Sequence, residues 1–85
     1  MTNTEALELI KTALTKIEPK RAAEFVELSM GSEIDALGLD SLAVMETVGY
    51  LEDHLETTFS DDEMAKVETI GDLAMLARTG KVDST

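Results

Sequence analysis

The chain has no cysteine and no tryptophan, and only one proline, one histidine, one tyrosine and two phenylalanines. Each shortage removes a class of answer. Without cysteine there is neither a disulfide nor a thiolate metal site, and the redox compartment stays open. With so few rings, the core has to be aliphatic. His54 alone cannot furnish a nucleophilic triad or a histidine-rich zinc site. Beside Glu52, Asp53 and Glu56 it reads as a surface side chain in an acidic setting. No stretch approaches the roughly 18 apolar residues of a membrane span. The start, MTNTEALELIKTALTKIEP, lacks a basic opening followed by an unbroken apolar run, so no secretory signal is expected and the cytoplasm is the default location. Phosphate-cradling GxxxxGK[ST] and GxGxxG patterns are absent. An EF-hand loop read from Asp35 fails at Leu37 and Leu39, and one read through SDDEMAKVETIG fails at Ala65, because those positions must supply oxygens. No dedicated metal site is expected.

Basic residues are scarce too: seven Lys and Arg against eighteen acids give a net charge of −11. Twelve of the acids and one base, Lys66, lie between Glu33 and Asp72, while the six acids and six bases elsewhere cancel. The whole imbalance therefore falls in one segment. Such a field repels nucleic acid and anionic membrane, and steers the protein toward basic surfaces. On composition alone, a solvated acidic face that aids solubility is the simpler account.

Eighty-five residues make one domain near the lower limit of unaided folding, with little interior left for a deep catalytic pocket. Hydrophobic spacing predicts an all-α chain, residues 1–85 forming a single four-helix bundle with a long first loop and a short third helix. The first helix covers about 3–17, with Leu7, Ile10, Leu14 and Ile17 on one side, and Glu18-Pro19 stops it. A long connection comes next, in which RAAEFVEL forms a helical turn or two with Phe25, Val26 and Leu28 turned inward. The second helix, about 41–55, buries Val44, Val48, Leu51 and Leu55. Gly49 costs that helix about 1 kcal/mol relative to alanine, a hint that flatness is useful there. Ser60 and Glu63 form a capping-box pattern that opens the third helix, about 60–66. TIGD (69–72) repeats the cap less strongly and opens the fourth, about 70–78, with Ile70, Leu73, Leu76 and Ala77 on its apolar side. The tail TGKVDST is polar and expected to fray.

The stretch LGLDSLAVMETVGYLEDHLE (37–56) sets a serine at the mouth of the second helix. By elementary chemistry Asp40 is a good N-cap and Ser41 an ordinary first-turn residue. Three features press the other way. A helix N-terminus favours a phosphate ester through its free N–H groups and dipole. Leu42 and Met45 leave apolar surface beside the mouth. Glu46, Glu52 and Asp53 ring that surface with charge. Together these make a docking face with an attachment point.

LGLDSL, the Met45-Glu46 helix and the later FSDDEMAKVETIGDLA resemble the acyl carrier protein family. The similarity is best over about 32–77, roughly half the chain. The resemblance implies a four-helix bundle with a 4′-phosphopantetheine arm on Ser41, Asp40 flanking it. The arm would come from coenzyme A through a phosphopantetheinyl transferase with Mg²⁺, and its terminal thiol would carry acyl groups as thioesters. The chain itself would not be an enzyme, and the one reactive sulfur would be that of the arm. Leu42, Met45, Glu46, Glu52 and Asp53 would meet a ketosynthase, acyltransferase or related synthase enzyme with a basic docking surface. Val48, Leu51, Leu55, Phe59, Ile70 and Leu73 would line an interior that is either ordinary core or a shelter for an acyl chain. A monomer, with no nucleic acid, metal or membrane partner, is expected. Several positions depart from the family pattern. Glu33 stands where many relatives are apolar, with Phe25 or Val26 as a substitute. Gly49 replaces a larger apolar residue and Ala43 a polar or acidic one, and RAAEFVELSMGSE is longer than in compact fatty-acid carriers. These departures favour a polyketide-type, secondary-metabolite carrier over a fatty-acid one. Two alternatives stay open: a peptidyl or aminoacyl carrier, and an acidic helical interaction module with no prosthetic group.

Overall fold

Thr2 opens the first helix with a full capping box: its Oγ1 accepts from Glu5 N at 3.1 Å, and Glu5 Oε1 accepts from Thr2 N at 2.8 Å. Those bonds, the one from the Thr2 backbone first, hold the Glu5 carboxyl below its ordinary range. In the computed structural model, which describes residues 1–80, this helix is α1 (Asn3–Ile17). Beyond it come α2 (Ala22–Val26), α3 (Ser41–Leu55), α4 (Asp61–Met64) and α5 (Ile70–Thr79). The described residues hold no strand, only an isolated bridge between Glu33 and Thr69. The fold is all-α. The last five residues of the expected frayed tail, 81–85, lie outside the described residues.

α1 is the centre of the fold, packing against both α3 and α5. Ala6, Ile10, Ala13 and Leu14 from α1 are buried with Leu51, Leu73, Ala74 and Leu76, and Phe25 and Phe59 complete the core. α1 ends before Pro19, as the helix-averse residue preceding a proline requires. No described helix is long and apolar enough to cross a membrane.

The long first connection is ordered by backbone bonds to the segment entering α5. Ile34 N donates to Glu68 O, Ile70 N to Ser32 O and Gly71 N to Met30 O, at 3.0, 2.8 and 2.7 Å. At Gly71 a Cβ would lie 2.8 Å from the Met30 carbonyl oxygen, so only glycine allows this approach.

Four expectations need correction. Val26 is 69% exposed, not turned inward. Five residues of α2 give it one inner side, which Phe25 takes together with Leu28 just beyond the helix end, while the Val26 carbonyl accepts from Lys11 Nζ. Phe25, not Val26, therefore fills the interior while Glu33 stays exposed. The buried stripe of α3 is Ala43, Thr47 and Leu51, with Val44, Val48 and Leu55 only half-buried. Thr47 tolerates burial because its hydroxyl donates to Ala43 O at 2.8 Å, leaving no orphaned polar atom. α4 stops at Met64: it buries nothing, and Ala65–Lys66 continue as a turn. Finally, the box at Thr69 is the complete one. Thr69 Oγ1 accepts from Asp72 N at 3.1 Å, while Asp72 Oδ2 accepts from the Thr69 and Glu68 amides at 3.2 and 3.0 Å.

Candidate functional site

The approach to α3 is a 3₁₀ turn (Asp35–Leu37) closed by Gly38 in the left-handed region, at φ 68°. Leu39 and Asp40 then lead into the helix. Asp40, extended at φ −79° and ψ 170°, caps it by accepting from Ala43 N at 2.7 Å. Because the aspartate takes the cap, the hydroxyl of Ser41, the first helical residue, is left out of it and faces solvent.

The first turn of α3 holds no acidic residue, whereas α1, α2, α4 and α5 each carry at least one there. Those carboxylates would compete for the amide ends and dipole of their own helices. At α3 the cap, Asp40, is the one acid at the helix start. An added phosphate therefore meets no first-turn carboxylate competing for the helix end, and an exposed serine accepts a bulky ester without disturbing the core.

The expected surface residues divide. Leu42 and Met45 are 63% and 69% exposed, among the few large apolar side chains left in water. Glu46, Gly49 and Asp53 come after them at helical spacing and are exposed as well, so these five share one face with Ser41 at its head. Glu52 is turned partly away. It is half-buried, and its Oε2 accepts from Phe59 N at 2.7 Å, tying the end of α3 to the segment before α4. Gly49, Asp53, Glu56, Thr57 and Thr58 border an open groove beside it.

Inside, a cavity of about 210 Å³ runs between α1, α3, α4 and α5. Leu39 and Val44, on either side of Ser41 in sequence, line it, as do Ile10, Val48, Met64 and Leu73. Leu51 and Phe59 are buried core, and Leu55 lies off the cavity lining. The void exceeds the roughly 150 Å³ that takes a benzene-sized guest.

His54 is thirteen residues beyond Ser41 on the same helix, roughly 20 Å away at 1.5 Å per residue. Its ring stacks on Tyr50, centroids 6.2 Å apart. His54 therefore stands far from the hydroxyl, and among the described residues no cluster of acids and histidine is arranged to hold a metal ion.

A small helical scaffold here presents a serine at a helix start, beside an exposed apolar pair. The family described as "Phosphopantetheine attachment site" matches residues 10–76. An acyl carrier protein of Exiguobacterium sibiricum is 35% identical over 80 residues, covering 93% of this chain and 98% of its own. An acyl carrier protein homolog of Mycoplasmopsis pulmonis is 35% identical over 69 residues, 81% of this chain and 86% of its own. No solved structure matches significantly. The chain belongs to the acyl carrier protein family. It is a non-catalytic carrier with a 4′-phosphopantetheine prosthetic group, and works with synthase enzymes and a phosphopantetheinyl transferase. That sets aside a module without an arm. When bound, the group supplies a thiol, which this cysteine-free chain lacks, to hold acyl groups as thioesters.

Sequence reasoning placed Ser41 at the helix start, Asp40 as the cap and Leu42 and Met45 on the surface, as the structure has them, but missed Thr47, whose polar side chain disguised a core position, and Arg21. Arginine four residues from phenylalanine (21 and 25) in a loop carries no distinctive pattern by itself.

Proposed function

We propose that Ser41 is the attachment residue, that residues 1–85 act as one monomeric cytoplasmic carrier domain, and that the pathway served is of polyketide type. The observation that carries the first point is the exposed Ser41, its hydroxyl excluded from the cap by Asp40, at the one α-helix start free of first-turn acids among the described residues. Ser41 Oγ attacks the pantetheine-side phosphorus of coenzyme A, so that the new phosphoester forms as the pyrophosphate P–O bond breaks and 3′,5′-adenosine bisphosphate leaves. A base supplied by the transferase takes the Ser41 proton, because the neighbouring Asp40 carboxylate is engaged with Ala43 N. Asp40 keeps the helix start in place through Ala43 N.

Leu42 and Met45 form the apolar centre of the docking face, with Glu46 and Asp53 as its charged rim and Glu52 at the edge. Such rim charges speed and orient encounter with basic partners more than they tighten it, which suits a carrier that must release each enzyme. The pathway reading rests on Gly49, which lies on this face, and on the long first loop. Ala43 lends it nothing, because that residue is buried where no partner reads it. The cavity takes the leading end of a short acyl chain.

Intact mass before and after incubation with coenzyme A, Mg²⁺ and a broad-specificity phosphopantetheinyl transferase tests the assignment. Wild type should gain one phosphopantetheine and Ser41→Ala none. A gain in Ser41→Ala would place the arm elsewhere. Loading the product with malonyl groups by an acyltransferase, against amino acids by an adenylating enzyme, separates an acyl from an aminoacyl carrier.

A further inference from the structure

Between Asp35 and Asp40 the described hydrogen bonds are local, with one exception. Ala36 N, Leu37 N and Gly38 N donate to the carbonyls three residues earlier, and the Asp40 carboxylate turns forward to Ala43. The exception is Arg21, whose Nη2 donates to the Leu37 carbonyl from sixteen residues away. The last stretch before Ser41 thus has one long-range polar tether, beyond the backbone bonds that hold 30–34 against the entry to α5.

That tether is built to point one way. Nε of Arg21 donates to Glu24 Oε2 at 2.9 Å and Nη1 to Glu18 Oε2 at 3.1 Å, so carboxylates on two sides fix the plane of the guanidinium. The group lies over the buried Phe25 ring, 5.4 Å from its centroid, and its side chain is 26% exposed. Glu24 first, then Glu18, hold its pKa above the ordinary arginine value. A planar fork meets two carboxylates and a carbonyl in fixed, widely spread directions, whereas a lysine ammonium offers its three donors from one freely rotating point. Leu37, at the far end, also lines the cavity.

We propose that Arg21 is a positioning residue for attachment of the arm: by holding the Leu37 carbonyl it orders the 38–40 approach before the transferase binds. This rests on Ser41 being the attachment residue. A loop already in its bound shape spares the enzyme the entropy of ordering it. Loss of the tether therefore appears in KM for the carrier and leaves kcat alone, because Arg21 touches no reacting atom.

The test measures KM and kcat for loading by a phosphopantetheinyl transferase with coenzyme A, alongside amide hydrogen exchange, in wild type, Arg21→Ala, Arg21→Lys, Glu24→Gln and Ser41→Ala. In Arg21→Ala, exchange at 38–41 should accelerate more than at Leu51 and Leu76. KM should rise about three- to tenfold, the scale set by losing a charge-assisted bond to a partly exposed carbonyl, with kcat within about twofold. Arg21→Lys keeps charge and stem but not the fork, so it remains folded and shows the same KM rise. Glu24→Gln removes an ion pair but spares the tether, and KM should stay within about twofold of wild type. Folded Arg21→Lys with wild-type KM and wild-type exchange at 38–41 overturns the proposal, as does a loss of kcat at constant KM. Failure of the underlying reading looks different: Ser41→Ala gains mass, or wild type does not.

Discussion

α4 and α5 begin alike and end differently. Each opens on a hydroxyl that caps the backbone of an acid three residues on, Ser60 with Glu63 and Thr69 with Asp72. α4 then lasts four residues and α5 ten. The two part company in the residues after the cap. α5 sends Ile70, Leu73, Ala74 and Leu76 into the core, whereas α4 buries nothing and offers Met64 only halfway. A cap decides where a helix starts, but buried side chains decide whether it persists. Both helices line the same cavity, α5 through Ile70 and Leu73, α4 through Met64 with Val67 beyond it. One wall is therefore anchored and another is held lightly.

The largest expected contrast comes from removing one apolar side chain from each. Leu76→Ala empties a fully buried site against α1 and should cost about 2–5 kcal/mol in urea unfolding. Met64→Ala should cost less, about 1 kcal/mol, since its side chain is only partly buried. Equal losses would mean that α4 is as firmly built as α5. For a domain this small, the Leu76 change alone removes a large share of the total stability.

The same distinction explains what the sequence discloses. Where one residue type has one plausible use, it is legible: Pro19 ends α1, Asp40 caps α3, and the exposed Leu42 and Met45 declare themselves by interrupting the polar side of their helix. Periodicity places the helices but errs in their rotation. In α3 the valines outrank Ala43 and Thr47 in hydropathy, yet the small residues are buried and the valines only partly so. Hydropathy cannot register how closely two backbones approach. Nor can it foresee Val26, which sits beside Phe25 and has no inner side left to occupy. Arg21 is hidden for another reason. Its meaning depends on a carbonyl sixteen residues away, and a backbone acceptor leaves no mark on the sequence.

Next in size are the caps. Thr69→Ala breaks a reciprocal pair and should cost about 1 kcal/mol, while Ser60→Ala should cost about half that, because a four-residue helix has little to lose. Chemical denaturation of the two variants measures both. If Ser60→Ala proves the costlier, the cap and not burial sustains α4.

The smallest effect concerns charge. Asp61, Asp62 and Glu63 open α4, within a segment that holds twelve acids and one base. The dipole of so short a helix offsets little of their mutual repulsion. Added salt should therefore raise the melting temperature by roughly 2–4 °C, about 0.5 kcal/mol, as the Debye length falls toward ~10 Å at 0.1 M. Amide exchange should slow in α4 and stay nearly constant in α5, whose first turn carries the single acid Asp72, already bonded to two amides. Millimolar Mg²⁺ should act the same way, by screening, because no described cluster is shaped to bind it. Sodium chloride must then reproduce its effect. A Mg²⁺ response that saturates early and that sodium cannot match would show that α4 is held by a bound ion, and that its wall of the cavity is tightened by ligation and not merely relieved of repulsion.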